Sequence, residues 1–201
     1  MLVELKIPEN RYFWCKRWPT WGGGRYGGVL TYCNGIKKYG YEVHKILGNP
    51  DNQQWHRLTN IKILVDNSAE SLTIRQGNLQ IIKEINTARK GSQPKLSVFG
   101  VIHDYLLFLL SHTKTQLLKK NIRGKSIYAP GDPIKFTLSI PEKWDEVAKW
   151  TIAKALALIT AELQFGSTKN LFMISESESA VSVHVRDVKN WVVSGKYLDY
   201  P

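Results

Sequence analysis

The sequence has little of what marks a secreted, zinc-binding or membrane-spanning protein. It contains only two cysteines, Cys15 and Cys33, with no metal-ligand spacing and no secretory leader. A disulfide framework is therefore not expected. We expect a reduced, cytoplasmic setting instead. The longest apolar stretch, 98–110, is interrupted by His103 and Asp104 and is shorter than the roughly 20 residues that a membrane span needs. We expect no metal site and no membrane association.

Acidic residues are also scarce, 17 against 28 Lys and Arg, which leaves a formal net charge of +11. A basic protein can bind nucleic acid through phosphate contacts, and exposed aromatics among basic residues can stack on bases. The basic residues are nevertheless scattered, and the opening segment 11–26 combines them most densely with aromatics. We expect Trp14, Trp18 and Trp21 to cover an apolar edge that binds a protein partner where it is exposed, and nucleic-acid binding is disfavoured.

Two glycine motifs and a histidine pair do not define a site. Segment 22–27 has the glycine spacing of a dinucleotide fingerprint, but a strand-like run follows where the fingerprint needs a helix. Segment 124–126 ends like a Walker loop, yet Lys119 occupies the position of the required earlier glycine. His103 and His112 are nine residues apart on a predicted helix, so a shared metal is not expected and both are interpreted as ordinary helix residues.

Residues 135–140 predict a strand with one buried face. Phe136, Leu138 and Ile140 alternate with polar residues, which is the period-two pattern of a half-buried strand. Pro141 ends it because proline has no backbone donor for the next hydrogen bond.

A helix is predicted directly after this strand, with Asp145 as its N-cap and Gly166 as its end. Its apolar face, from spacings of three and four, consists of Trp144, Val147, Ala148, Ile152, Leu156 and Ile159. The apolar run 171–174 then predicts a central strand covered on both faces, which opens into the acidic turn 175–180.

The middle of the chain is less regular. Segment 60–65 predicts a strand or a short helix, and the alternation of apolar residues over 71–85 predicts a hairpin. A loop spans 87–95, after which Ser97 caps a long predicted helix that reaches about residue 120.

Several short blocks follow one another in an order typical of a known family. Ile140-Pro141, Trp144-Asp145 and Ala148-Lys149 precede Ile-Ser-Glu-Ser-Glu-Ser-Ala at 174–180. The upstream blocks are 17–19, 28–32, 39–42, 61–66 and 104–106, with His112 downstream. Together they resemble the actin-like ATPase domain of heat-shock-70 chaperones, closest to the divergent branch of filamentous fungi. The resemblance covers most of residues 17–190.

The resemblance implies an α/β fold, the first lobe of an actin-like (ribonuclease H-like) ATPase, with a mixed sheet flanked by helices. The lobe is expected to be incomplete at both ends, because the sequence contains no Asp-Phe-Gly-Thr-Thr type turn and no second glycine-rich phosphate loop. Within residues 1–201, segment 39–88 is expected to form the smaller subdomain and 97–190 the main βα subdomain.

The resemblance also implies three working residues. Lys62 matches the catalytic lysine that reaches the terminal phosphate, and Glu176 matches a cofactor-binding glutamate near magnesium and the phosphates. Pro141 matches a proline that acts as a switch between nucleotide state and lobe movement. Ser177 stands where the family has a proline, which is a departure from the pattern.

The implied function is a partial nucleotide-binding domain of a heat-shock-70-like chaperone, with ATP and magnesium as ligands if the site survives. We expect hydrolysis to be absent or negligible without both phosphate loops, so enzymatic activity stays open. The alternative is a nucleotide-free binding module that engages a protein partner or nucleic acid through its basic, Trp-rich surface. A third reading is an incomplete sequence of a full ATPase.

Overall fold

The computed structural model describes residues 3–7, 11–13, 30–33, 36–39, 41–89, 94–118, 135–165 and 171–178. The strands are β1 (Val3–Ile7), β2 (Arg11–Phe13), β3 (Leu30–Cys33), β4 (Ile36–Tyr39), β5 (His56–Leu58), β6 (Lys135–Ile140) and β7 (Leu171–Ser175). The α-helices are α1 (Tyr41–Leu47), α2 (Leu72–Ala88), α3 (Val98–Leu118) and α4 (Glu146–Glu162), and 3₁₀ helices cover Pro50–Asn52 and Ile61–Val65.

The strands form two sheets. The larger sheet has the order β2-β1-β6-β7, in which β1 is antiparallel to both neighbours and β6 is parallel to β7. The smaller sheet is antiparallel with the order β4-β3-β5. The predicted α/β class with a mixed sheet is therefore confirmed. None of the helices in the ranges given above combines the length and the apolar character needed to cross a membrane.

Helix α3 packs between the smaller sheet and helix α4. It packs against α4 and against the 3₁₀ helix Ile61–Val65, and the Tyr39 ring on β4 stacks on Phe108, with ring centroids 4.2 Å apart and planes 2° from parallel. One hydrophobic core includes Tyr32 from the smaller sheet and Ile152 from α4. The division into subdomains at 39–88 and 97–190 stays a prediction.

Strand β6 lies where the alternation predicted it, but its burial differs. Ser139 was expected to face outward, and it is buried together with Leu138 and Ile140. Because successive strand residues point to opposite faces, burial of all three shows that both faces of the sheet are covered at this end of β6. The prediction that residues 171–174 form a central strand covered on both faces is wrong. Among the described strands, β7 is paired with β6 alone, and its Phe172 side chain is 46% exposed.

Helix α4 begins as predicted. The Oδ1 atom of its N-cap, Asp145, accepts a hydrogen bond of 2.8 Å from the backbone N–H of Ala148. The predicted apolar residues Trp144, Ala148, Ile152, Leu156 and Ile159 are all buried. Val147 is the exception, since its side chain is 66% exposed and shares an outer face with Trp150 and Leu158.

The end of α4 differs from the prediction. The helix ends at Glu162 rather than at Gly166, because Gln164 adopts a left-handed backbone conformation with φ of 55°. The N–H of Phe165 then bonds to the Thr160 carbonyl at 2.9 Å, and the N–H of Gln164 to the Ala161 carbonyl at 3.1 Å. This pair of bonds is a Schellman motif that satisfies the last carbonyls of the helix and turns Phe165 into the core.

Replacing Gln164 with glycine is expected to raise the free energy of unfolding by about 1 kcal/mol. A residue with a Cβ is disfavoured by roughly 1–2 kcal/mol in this conformation, whereas the greater freedom of glycine in the unfolded chain offsets about 0.4–1 kcal/mol. Urea unfolding followed by circular dichroism measures the change. Gln164→Ala is the matched control and should give no comparable gain, and a loss of stability in Gln164→Gly would contradict the assigned backbone conformation.

The hairpin predicted for 71–85 is wrong, because this segment belongs to helix α2. Asn78, Ile82 and Ile85, spaced by four and three residues, are buried, whereas several residues that supported the alternation are exposed. The Asn78 side chain bonds twice to Thr59, accepting from its N–H at 3.3 Å and donating to its carbonyl at 2.7 Å. This tertiary contact orients the helix with Asn78 inward, which the pattern of apolar residues in the sequence does not indicate.

The two remaining segments agree with the sequence. Helix α3 was predicted from Ser97 to about residue 120 and spans Val98–Leu118, with the Ser97 Oγ accepting from the N–H of Gly100 at 3.0 Å. The predicted helical placement of His103 and His112 is confirmed. Segment 60–65, left open between a strand and a short helix, is the 3₁₀ helix Ile61–Val65.

Candidate functional site

The three residues named from the family resemblance lie at one edge of the larger sheet. Ile140 pairs with Ser175 in the parallel register of β6 and β7, so Pro141 and Glu176 leave adjacent strands side by side. The Nζ of Lys62 donates to the Oε1 of Glu176 at 3.4 Å, although 114 residues separate them in the sequence. The carboxyl ends of parallel strands are a common position for ligand sites in α/β sheets. We define Lys62, Pro141, Glu142, Glu176 and Ser177 as the strand-end site.

Lys62 reaches this edge because of its place on a 3₁₀ helix. Ile61, Leu64 and Val65 point into the core, and the helix packs against α3 and α4. Lys62 lies on the solvent side of the same turn, with its side chain 47% exposed. Burial of the apolar residues therefore fixes the backbone from which the lysine extends.

The turn after β7 is ordered by its own side chains. The N–H of Ser175 donates to the Glu178 Oε2 at 2.7 Å, and the N–H of Glu178 donates to the Ser175 Oγ at 3.0 Å. The Ser175 amide holds the pKa of Glu178 below its usual value. Ser177, at the family's proline position, donates to the Glu142 carboxylate. The serine thus connects the turn to the residue after Pro141.

A second group of polar residues borders the start of α4. The Nδ2 of Asn67 donates to the Asp145 Oδ2 at 2.7 Å, and this bond, with the Ala148 amide, lowers the pKa of Asp145. Burial raises the pKa of Asp66, but hydrogen bonds from Ser71 and Ser68 outweigh that effect and lower it overall. These bonds fix the segment between the 3₁₀ helix of Lys62 and α2.

The strand-end site supplies one lysine, Lys62, and two carboxylates, Glu142 and Glu176. The Lys62 ammonium can bind a phosphate oxygen, and the Glu176 carboxylate can bind water around a magnesium ion. Across the described ranges, no three His, Cys, Asp or Glu side chains converge as a metal site. The site therefore offers a single cation that can contact one phosphate oxygen.

Sequence reasoning missed Glu142 and Asn67. Glu142 directly follows the proline that ends β6, so its position at the carboxyl end of a predicted strand was a usable signal. Asn67 offered no comparable signal, because its partner Asp145 is 78 residues away. The N-terminal aromatic edge of Trp14, Trp18 and Trp21 lies outside the described residues, as do the two discounted glycine motifs at 22–27 and 124–126.

The fold and site define a mixed α/β protein with polar side chains gathered at the carboxyl ends of a parallel strand pair. Comparisons of the chain with known protein families, curated proteins and solved structures found no match.

Proposed function

We propose that this chain is part of the nucleotide-binding domain of a heat-shock-70-like, actin-like ATPase, and that the strand-end site binds the phosphates of ATP. Lys62 would bind a phosphate oxygen, Glu176 would orient water around the accompanying magnesium, and Pro141 would transmit movement of the bound phosphates to β6 and α4. The observation that carries the proposal is the contact between Lys62 and Glu176 beside Pro141. The family resemblance named these residues independently of any contact.

The Lys62 to Glu176 ion pair can give way to a phosphate group. Both side chains are about half exposed, at 47% and 48%, and such pairs contribute only about 0–1 kcal/mol. A nucleotide polyphosphate carries more negative charge than one carboxylate and offers more acceptor oxygens. The nucleotide would therefore displace Glu176 from the lysine, and the freed carboxylate would turn to the magnesium shell.

Hydrolysis is expected to be negligible. Phosphoryl transfer depends on several donors positioned around the phosphates, and the strand-end site offers one cation. The sequence contains no Asp-Phe-Gly-Thr-Thr type turn to supply backbone and hydroxyl donors. We propose binding rather than turnover as the activity of this chain.

Thermal and urea unfolding with and without magnesium ATP tests the proposal. Ligand at ~100 times its dissociation constant should add about 2.7 kcal/mol to the stability. In Lys62→Ala the same ATP concentration should add about 1.4 kcal/mol or less, which corresponds to a tenfold weaker site.

Lys38→Ala is the matched control for this experiment. Lys38 forms an ion pair with Glu42 at the same 3.4 Å and with similar exposure, 41% against 47% for Lys62, but it lies on the smaller sheet. Its substitution should leave the effect of ATP unchanged. An equal loss in both variants would mean that ATP binds through general positive charge, and the proposal would fail. No stabilisation of the unaltered chain would favour the alternative, a nucleotide-free binding module.

A further inference from the structure

A separate cavity lies between the smaller sheet and the end of helix α2. Its volume is about 160 Å³, and its walls are formed by Tyr32, Cys33, Gln54, His56, Ile85, Ala88 and Arg89. An engineered cavity of about 150 Å³ in another protein accommodates benzene, so this space suits a molecule of about six non-hydrogen atoms. None of these residues belongs to the strand-end site.

The cavity contains a cation with unused hydrogen-bonding capacity. One terminal nitrogen of Arg89 donates to the Pro94 carbonyl, but its Nε atom is buried and has no hydrogen-bond partner in the described part of the chain. A buried guanidinium donor without an acceptor is costly and unusual in a folded protein. Because the Nε atom is closed to the cavity as well as to solvent, a ligand in the cavity would meet the guanidinium through its second terminal nitrogen, which has no acceptor in the described part of the chain.

The buried carboxylate of Asp104 is already engaged by other groups. Asp104 accepts from the Tyr32 hydroxyl at 2.9 Å and from the Lys37 Nζ at 2.5 Å. Burial and the charge of Asp104 raise the pKa of Tyr32, whereas the positive charge of Arg89 acts in the opposite direction. No acidic residue is among those that line the cavity, and the Glu84 carboxylate lies 3.7 Å from the Nδ1 atom of the lining residue His56.

The remaining walls indicate which anion fits. Apolar surface comes from Ile85, Ala88 and the Tyr32 ring, whereas polar atoms come from Gln54 and His56. A carboxylate with a short apolar tail would match both parts, because its charge can meet Arg89 while its tail replaces water against the apolar wall. Inorganic phosphate would present oxygen in every direction and fits these walls less well.

We infer that this cavity is a binding site for a small organic monocarboxylate, held by Arg89 and packed against Tyr32 and Ile85. This site is distinct from the proposed nucleotide site, and the inference does not depend on ATP binding.

Cys33 makes the inference directly testable, because its partly exposed thiol lines the cavity. In a Cys15→Ser background it is the one remaining cysteine of the sequence, so its reaction with a thiol reagent reports on this site alone. Propionate should slow this reaction in a saturable manner. Propionamide, which has the same size without the charge, should not, and sodium chloride keeps the ionic strength equal.

Arg89→Gln should weaken protection by propionate at least tenfold, since it removes the charged donor that holds the carboxylate. Arg89→Lys should retain part of it, with circular dichroism showing that both variants fold. Equal protection by propionamide, no protection by propionate, or protection by inorganic phosphate alone would overturn the inference. The comparison of propionate with propionamide needs no Arg89 variant, so the test stands even if Arg89→Gln fails to fold.

Discussion

Replacing Trp144 with alanine is expected to lower the free energy of unfolding by about 3–5 kcal/mol. Trp144 is 4% exposed and belongs to the same core as Leu138 and Ile152, and a buried tryptophan truncated to alanine loses apolar contact and leaves a cavity. Its backbone N–H donates to the Pro141 carbonyl at 3.2 Å, a bond that alanine can keep, so the expected loss comes from the side chain. Since domains are commonly stable by about 5–15 kcal/mol, this change would remove a large share of the total.

Trp150→Ala is the matched control. It also replaces tryptophan with alanine near the start of α4, but at a residue that is 62% exposed. Trp150 contacts the Lys154 ammonium, 4.8 Å from its ring centroid, and an exposed cation–π contact contributes about 0.5–1 kcal/mol. Its loss should therefore not exceed about 1 kcal/mol. Urea unfolding of both variants by circular dichroism gives the comparison. Similar effects of the two substitutions would show that the assigned burial of Trp144 and exposure of Trp150 are wrong.

The unit from β6 to α4 could be predicted because its signals are local. Leu138 and Ile140 alternate with polar residues, Pro141 stops the strand, and Asp145 caps a helix whose buried residues recur at spacings of three and four. Each signal depends on neighbours within a few residues. The sequence therefore contains enough information to place this unit without its surroundings.

Helix α2 could not be predicted in the same way. Its exposed Leu72, Ile74 and Leu79 produced an apparent alternation, whereas one of its buried positions is the polar Asn78. Burial of Asn78 depends on its two hydrogen bonds to Thr59, which are tertiary contacts. The left-handed conformation of Gln164 also depends on a tertiary contact. The burial of Phe165 favours this turn, although glycine would adopt it more readily than glutamine.

Only part of the strand-end site could be predicted from the sequence. Periodicity places Pro141 and Glu176 at the ends of two predicted strands, but it gives no reason to bring Lys62 to the same edge. The family resemblance supplied that connection, and the catalytic, cofactor-binding and switch roles of these residues stay predictions. The bond from Ser177 to Glu142 could not be predicted from the local sequence, since it depends on the pairing of β6 with β7.

Replacing Asp104 with alanine is the second large expected effect, a loss of about 2–3 kcal/mol in the free energy of unfolding. The carboxylate connects α3 to the smaller sheet by accepting from the Tyr32 hydroxyl and from the Lys37 ammonium. Tyr32 is fully buried, so removal of Asp104 leaves its hydroxyl without this acceptor, and such an unsatisfied group costs about 1–3 kcal/mol. Lys37 is partly exposed and can turn to water, so it should add little.

A double-mutant cycle with Tyr32→Phe isolates the contact between the hydroxyl and the carboxylate. The loss in the double variant should be smaller than the sum of the two single losses by about 1–2 kcal/mol, because either substitution alone already removes the shared hydrogen bond. Asp104→Asn should lose less than Asp104→Ala, since an amide oxygen can still accept from Tyr32. Glu70→Ala removes an ion pair to Lys143 in which both side chains are largely exposed, and it should leave stability almost unchanged. Strict additivity of the two single effects would mean that the Tyr32 hydroxyl and the Asp104 carboxylate are not in contact.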